Sequence, residues 1–267
     1  MMMRPAAAML SALLSVPLCV PADSRAQSAD YSHYVSPWKT PWDYQGPRGY
    51  EHWSELDPAY APCNTGKAQS PIDIRTTRKA TLPRLRFEYI REPVHYVINN
   101  GYTIRVNYHD APGSGSYLVV GDKRYQLTQF HFHRPSEELI QGKQYDMVLH
   151  LMHKASDGEE AGVAVLLRSG KANSSVAELW RHIPRNEGQL AAPGVELDPA
   201  DMLPGTLGYY LYSGSVTAPP CTEGVEWFVL KTPVEVSAAQ IAAFAALYPN
   251  DVRPPQPLNG RVVEESD

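Results

Sequence analysis

The chain has 267 residues, 43% of them hydrophobic and 20% charged, and carries a net charge of −5 at pH 7. That length is enough to bury a substantial core, in one large domain or two ordinary ones. Lys and Arg are nowhere concentrated, which excludes nucleic acid and acidic membrane surfaces as partners, since both need a clustered positive field.

Residues 1–26 have the zones of a secretory signal: Arg4, the apolar stretch from Ala6 to Leu18, and the small-residue end Ser24-Arg25-Ala26, with cleavage expected after Ala26. Pro17 interrupts the apolar stretch, and no later run approaches roughly 20 apolar residues, so no membrane span is expected. The reading places the mature protein in the periplasm or outside the cell. Cys19 lies within the signal, but Val16-Pro17-Leu18 lacks the small residues expected before a lipidated Cys. Cys63 and Cys221 remain in the exported chain, and two thiols in an oxidising compartment most simply form one disulfide.

Gln27 to Thr40 is polar, Tyr-rich and without period, which reads as a loosely held arm ahead of one domain spanning residues 41–267. Trp38, Trp42, Tyr44, Tyr50 and Trp53 follow closely and are expected to cap the core with aromatic surface. Pro58, Pro62, Gly66 and Pro71 punctuate a loop with no room for a long helix. Short β-like runs come next, at Arg84 to Tyr89, His95 to Asn99, Thr103 to Tyr108, Tyr117 to Val120 and Lys123 to Leu127. Asn99-Asn100-Gly101, Pro112-Gly113-Ser114-Gly115 and Gly121-Asp122 separate them, as expected of antiparallel strands and hairpins. Gly162 to Arg168 reads as a buried strand, and Ser174 or Ser175 through His182 as a helix with a Ser cap. Leu207 to Tyr212 and Val225 to Leu230 are further strands, and Ser237 to Leu247 is an Ala-rich helix. Arg253 to Leu258 must be extended, because its prolines remove donors and restrict their predecessors.

The chemistry concentrates in Gln129-Phe130-His131-Phe132-His133 and Tyr145-Asp146-Met147-Val148-Leu149-His150. Two His one residue apart share a strand face, because strand side chains alternate. A turn at Gly142 and a returning strand would bring His150 beside them. Three imidazoles with no fourth protein ligand describe a catalytic zinc site with an open position for water. The other His read as surface or hydrogen-bonded core, and His153, odd in phase with His150, should face the opposite side of its strand. A cupin is the competing metal reading. Glu137 and Gly142 partly satisfy its first motif, but no Gly stands at the required distance before His131 and no second His motif follows.

From about Trp42 to Arg261 the chain resembles an α-class carbonic anhydrase of the secreted bacterial type. The stretches that carry the resemblance include His52-Trp53, Gln69 to Ile74, Asn99-Asn100-Gly101, Gln129 to His133, Ser136-Glu137, Leu149 to His153, Val216-Thr217, Pro219-Pro220, Trp227 to Lys231 and Arg253 to Leu258. The resemblance implies a mainly β single domain: a large twisted, mostly antiparallel central sheet of about ten strands with a few short peripheral helices. It implies zinc on His131, His133 and His150, a Cys63–Cys221 disulfide, and reversible hydration of CO2 to bicarbonate by zinc-bound hydroxide. Zinc lowers the pKa of water to about 7, so hydroxide is available at neutral pH. Thr217 matches the Thr that orients this nucleophile while donating to Glu137. Tyr44 and Asn100, with Thr217, would order water in the cleft. Gln129 matches the residue that hydrogen-bonds the back of His131. Val120, Val163, Val165, Val216 and Trp227 are candidates for the apolar wall that holds CO2, with Ala218 beside them. The resemblance also allows a homodimer.

Four departures from the family bear on function. Tyr102 stands where a proton-shuttling His is frequent. Val148 stands where a Glu usually bonds the third zinc ligand, so His150 is expected to be less firmly oriented. Glu138 replaces a frequent His, and Ala218 a frequent Thr. A catalytically weak or inactive carbonic anhydrase-like binding module, and a zinc esterase side activity, are the alternatives these residues leave open.

Overall fold

The alternation that runs through the two His-bearing segments also dictates how the domain is layered. In the computed structural model, which describes residues 38–108, 115–191 and 194–267, both segments are long central strands. The signal expected at residues 1–26, and residues 27–37 of the arm, lie outside the described residues. Twelve strands form the main sheet: β1 (Arg78–Lys79), β2 (Leu85–Glu88), β3 (Tyr96–Asn99), β4 (Ile104–Asn107), β5 (Tyr117–Val120), β6 (Lys123–His133), β7 (Met147–Ala155), β8 (Glu160–Ser169), β9 (Gln189–Ala191), β10 (Tyr209–Ser215), β11 (Glu223–Val236) and β12 (Glu264–Glu265). Their order is β9-β3-β4-β6-β7-β8-β11-β10-β12-β1, with β5 on the Lys123 end of β6 and β2 outside it. The pairs β8–β11 and β12–β1 are parallel and the remaining pairs of this sheet antiparallel.

The expected architecture is therefore present, with twelve strands rather than about ten. The additional strands are short edge pieces, among them Arg78–Lys79 and Glu264–Glu265, whose side chains carry no hydrophobic alternation to betray them. The run expected to stop at Leu127 continues unbroken to His133. Its ends find different partners, β5 over Lys123–Gln126 and β4 over Gln129–His131.

Each face of the sheet buries its own set of side chains. Leu149, Leu151, Val163 and Val165 lie in the larger core, which α3 (Ser174–Trp180) and α4 (Ala238–Ala245) cover with Val176, Leu179 and Phe244. On the other face, Val148, Met152, Ala164 and Trp227 pack with Ile72 and Ile74. Two one-turn helices, α1 (Trp53–Leu56) and α2 (Pro62–Thr65), precede the sheet. The helix ends follow ordinary capping chemistry. Asn173, one residue ahead of the expected Ser, accepts from the Val176 N–H at 3.0 Å. Ser237 and Gln240 form a reciprocal capping box. Trp42, Trp53 and Tyr60 form a third buried cluster with Cys221, but Tyr50, expected among them, is 38% exposed.

His153 faces the larger core, as its phase predicted. It is 1% exposed, with the Tyr89 hydroxyl 2.6 Å from its Nε2. Burial pushes its pKa down to about 3. As pH falls from about 6.5 the unfolded chain takes up this proton first, so His153 contributes stability that is full above 6.5 and is lost progressively toward pH 3. The loss between pH 7 and pH 5 should be about 2 kcal/mol, at 1.36 kcal/mol per unit. Denaturant titrations of the parent and His153→Gln at both pH values should show a smaller pH effect in the variant. Equal pH slopes would contradict the assignment.

Candidate metal centre and active-site cleft

Register brings the three imidazoles together. In the antiparallel β6–β7 pair, His150 lies directly opposite His131 and Val148 opposite His133. The chain reverses through the strands Leu139–Ile140 and Lys143–Gln144, joined by Gln141 and Gly142 at φ 54° and 76°. Two consecutive left-handed residues suit a tight hairpin, and Gly at the second meets that demand without strain. One ring nitrogen from each of His131, His133 and His150 falls within 4.8 Å of the others.

The back of every ring is held by an acceptor. His131 Nδ1–H donates to Gln129 Oε1 at 2.9 Å, and His133 Nδ1–H to the Asp251 carbonyl at 2.7 Å. His150 Nε2–H donates to Glu138 Oε1 at 2.9 Å. These bonds leave the opposite nitrogens, Nε2 of His131 and His133 and Nδ1 of His150, directed at a common point. His133 Nε2 and His150 Nδ1 are buried without a hydrogen-bond partner, with Glu137 Oε2 standing off at 3.5 and 3.9 Å. Buried polar atoms normally find partners, so this orphaned pair marks a place for a cation. Burial and the neighbouring imidazoles hold the pKa values of His131 and His133 well below the ordinary value, which keeps both rings neutral. Burial also opposes charge on His150, but the Glu138 and Glu137 carboxylates outweigh it and raise its pKa. A cation at the common point would displace any extra proton from His150, so the donor set fits a metal held by three neutral imidazoles.

The rings lie at the base of a cleft of about 510 Å³. Tyr44, Asn100, Tyr102, Val216, Thr217, Ala218 and Trp227 all line it. Asn100 Oδ1 is committed to its own turn, accepting from Tyr102 N at 2.9 Å and Thr103 N at 2.8 Å. Tyr44 meets His133 edge-on at 6.4 Å, and burial raises its phenol well above the usual pKa. Behind the metal position, Glu137 Oε1 accepts from Arg253 N at 2.8 Å. The Thr217 hydroxyl lies against the same carboxyl and favours its ionised form. Burial works the other way and lifts Glu137 to about 7. The Arg253 guanidinium is tied to Gln69 Oε1, Ser70 O and Cys63 O at 2.7–2.8 Å. Cys63 is in turn bonded to Cys221, as expected, so the segment carrying Thr217 is fastened to the N-terminal loop.

Val163 and Val165 do not line the cleft, which corrects the expectation for both. His150 pairs across the sheet with Ala164, so Glu160, Gly162 and Ala164 share its face and the intervening valines point into the larger core. Val120, also expected at the apolar wall, packs against that same core. The wall is made instead by Met152, Val216 and Trp227. Trp227 lies over Gly162, where an added Cβ would stand 2.7 Å from the indole Cε3. Met152 was discoverable by counting two residues on from His150 along the strand. Arg105, Glu160 and Trp38 also line the cleft and had not been singled out for it.

Glu138 brings a second correction. Val148 indeed offers His150 no polar group, but His150 does not lack a carboxylate, because Glu138 reaches its Nε2 from the loop after β6.

The sequence model of the eukaryotic-type carbonic anhydrase family matches residues 48–267. A carbonic anhydrase of Nostoc sp. is 40% identical over 229 residues, covering 84% of this chain and 85% of that protein. One from Klebsiella pneumoniae is 41% identical over 223 residues, covering 83% and 89%. The solved α-carbonic anhydrase of Thermovibrio ammonificans, in complex with the inhibitor sulfanilamide, superposes with a TM-score of 0.81 at 41% identity, covering 85% of this chain and all of that one. Fold and site define a β-sheet enzyme with a three-His metal position at the base of a cleft. The chain belongs to the α-class carbonic anhydrase family, and its activity is that of a carbonate dehydratase.

Proposed function

We propose that this enzyme works with zinc on His131, His133 and His150, and interconverts CO2 and bicarbonate in the periplasm or outside the cell. The observation that carries the reading is the convergence of three ring nitrogens, two of them buried without a hydrogen-bond partner, at the base of a cleft. Zinc bound there would supply Lewis acidity that brings the pKa of water to about 7. The protein does the rest by placement. Gln129, the Asp251 carbonyl and Glu138 fix ring tautomers, so that one lone pair of each imidazole faces the metal. Thr217 spends its proton on Glu137, leaving an oxygen lone pair toward the cleft to orient the nucleophilic water. Val216, Trp227 and Met152 offer an apolar surface to CO2, which has no charge to grip. The disulfide supports an oxidising location. Among the described residues no helix is long and apolar enough to cross a membrane.

Stopped-flow CO2 hydration with zinc counted, before and after chelation, tests this. Activity should follow zinc content and return when zinc is restored. A fully zinc-loaded protein without hydration activity would favour a binding module.

A further inference from the structure

His150 presents Nδ1 to the metal position, so its orientation depends on what receives the Nε2 proton. That acceptor is Glu138 Oε1 at 2.9 Å, and both side chains are fully buried. Glu138 comes from the connection after β6, two elements of chain away from the strand that carries His150. The connection is clasped. Ser136 N donates to the Tyr145 carbonyl at 3.0 Å, Tyr145 N to Ser136 Oγ at 2.9 Å, and Ser136 Oγ to the Glu138 carbonyl at 2.8 Å. Immediately downstream, Leu139–Ile140 pairs in parallel with Asp73–Ile74. Backbone restraint of this kind holds a carboxylate in one place without help from its side-chain neighbours.

Val148, two residues before His150 and on the same face, is the position at which the family resemblance led a carboxylate to be expected behind this ring. Here it is wholly buried among apolar side chains that include Ile72, Ile74 and Leu166. The Nε2–H of the ring is a single donor, and Glu138 Oε1 takes it at 2.9 Å, so a carboxylate sent from position 148 would find no proton there to accept. We propose that Glu138 is the positioning residue of His150: the carboxylate behind this ring comes from the loop before the ligand's strand, and Val148, on the strand itself, is apolar because that place is taken. Glu138 touches neither substrate nor metal and acts through His150, locking its tautomer and making it a better donor. The inference rests on the zinc reading above.

Chelator-driven zinc release from the loaded protein tests it, with the melting temperature of the metal-free form as the control. Glu138→Gln and Glu138→Ala should release zinc roughly 10- to 100-fold faster than the parent, with Gln the milder because its amide oxygen still accepts. The double variant Glu138→His with Val148→Glu, which puts the carboxylate back on the strand, should recover to near the parental rate. Should Glu138→Ala fail to fold, Glu138→Gln and the double variant still decide. Parental release rates in the folded Gln and Ala variants would overturn the proposal. So would a metal-free melting temperature that falls as far as that of the loaded form, together with no recovery in the double variant. A parent that takes up no zinc would instead defeat the zinc reading itself.

Discussion

Thr217→Ala should lower kcat/KM for CO2 hydration by roughly 10²-fold, with zinc content unchanged. The reasoning starts from Glu137. Its Oε1 is engaged by Arg253 N at 2.8 Å, and Arg253 is itself pinned by three acceptors, so the carboxyl cannot turn away. In the proposed mechanism the Thr217 hydroxyl, which favours the ionised Glu137 carboxyl, gives that carboxyl its proton, and a lone pair remains to face the cleft. An oxygen that can only accept from the nucleophilic water selects one orientation of it. Without that oxygen the water samples unproductive directions, and loss of a near-attack geometry is what the hundredfold measures. The rings of His131, His133 and His150 owe their orientation to other residues, so metal retention should survive. Thr217→Ser should keep most of the activity, because it retains the hydroxyl. Activity in Thr217→Ala within about threefold of the parent, measured by stopped flow, would show that the hydroxyl does not orient the reaction.

The strand runs and the three converging imidazoles were legible because each rests on local rules. His-x-His requires only that strand side chains alternate, and the sixteen residues to His150 require only a hairpin, which Gly142 punctuates. The valines of β8 show where local rules stop. Which of Gly162, Val163, Ala164 and Val165 faces His150 depends on register between β7 and β8, and a slip of one residue sends every side chain to the opposite face. That register is set by the turn around Asp157 and Gly158, which carries no mark of which residues it will bring level. Glu138 failed for a related reason. Its identity was plain, but two adjacent acids diverge here, Glu137 toward Thr217 and Arg253 and Glu138 toward the back of His150. Only the clasp through Ser136 and Tyr145 decides which goes where. Tyr50 was drawn into the aromatic cluster by proximity in sequence, although the turn after Gly46–Arg48 leaves it outside.

Tyr102→His should raise kcat in dilute buffer by roughly 10-fold or more and leave kcat/KM unchanged, because it changes how the proton leaves and not how CO2 is hydrated. A phenol with pKa near 10 stands about 3 units above a zinc-bound water near 7, and relaying every proton through it would cost about 4 kcal/mol. The structure worsens the mismatch. Burial raises the Tyr102 pKa further. Its ring is stacked on Trp42 at 4.1 Å with the edge of Trp38 at 4.7 Å, and its hydroxyl accepts from Trp42 N at 3.4 Å. A ring gripped on both sides cannot swing between the cleft and bulk solvent as a shuttle must. An imidazole with pKa near 6.5 matches the donor, and it lacks the hydroxyl contact to Trp42 N that helps hold Tyr102 in place. Imidazole buffer should do for the parent what the substitution does, and should add little to the variant. Because Trp38 closes over the stack, Trp38→Ala combined with Tyr102→His should gain more than Tyr102→His alone. A parent that turns over as fast in dilute buffer as in imidazole would mean that the proton already has another way out, with Glu160 and Arg105 on the cleft wall the first residues to examine.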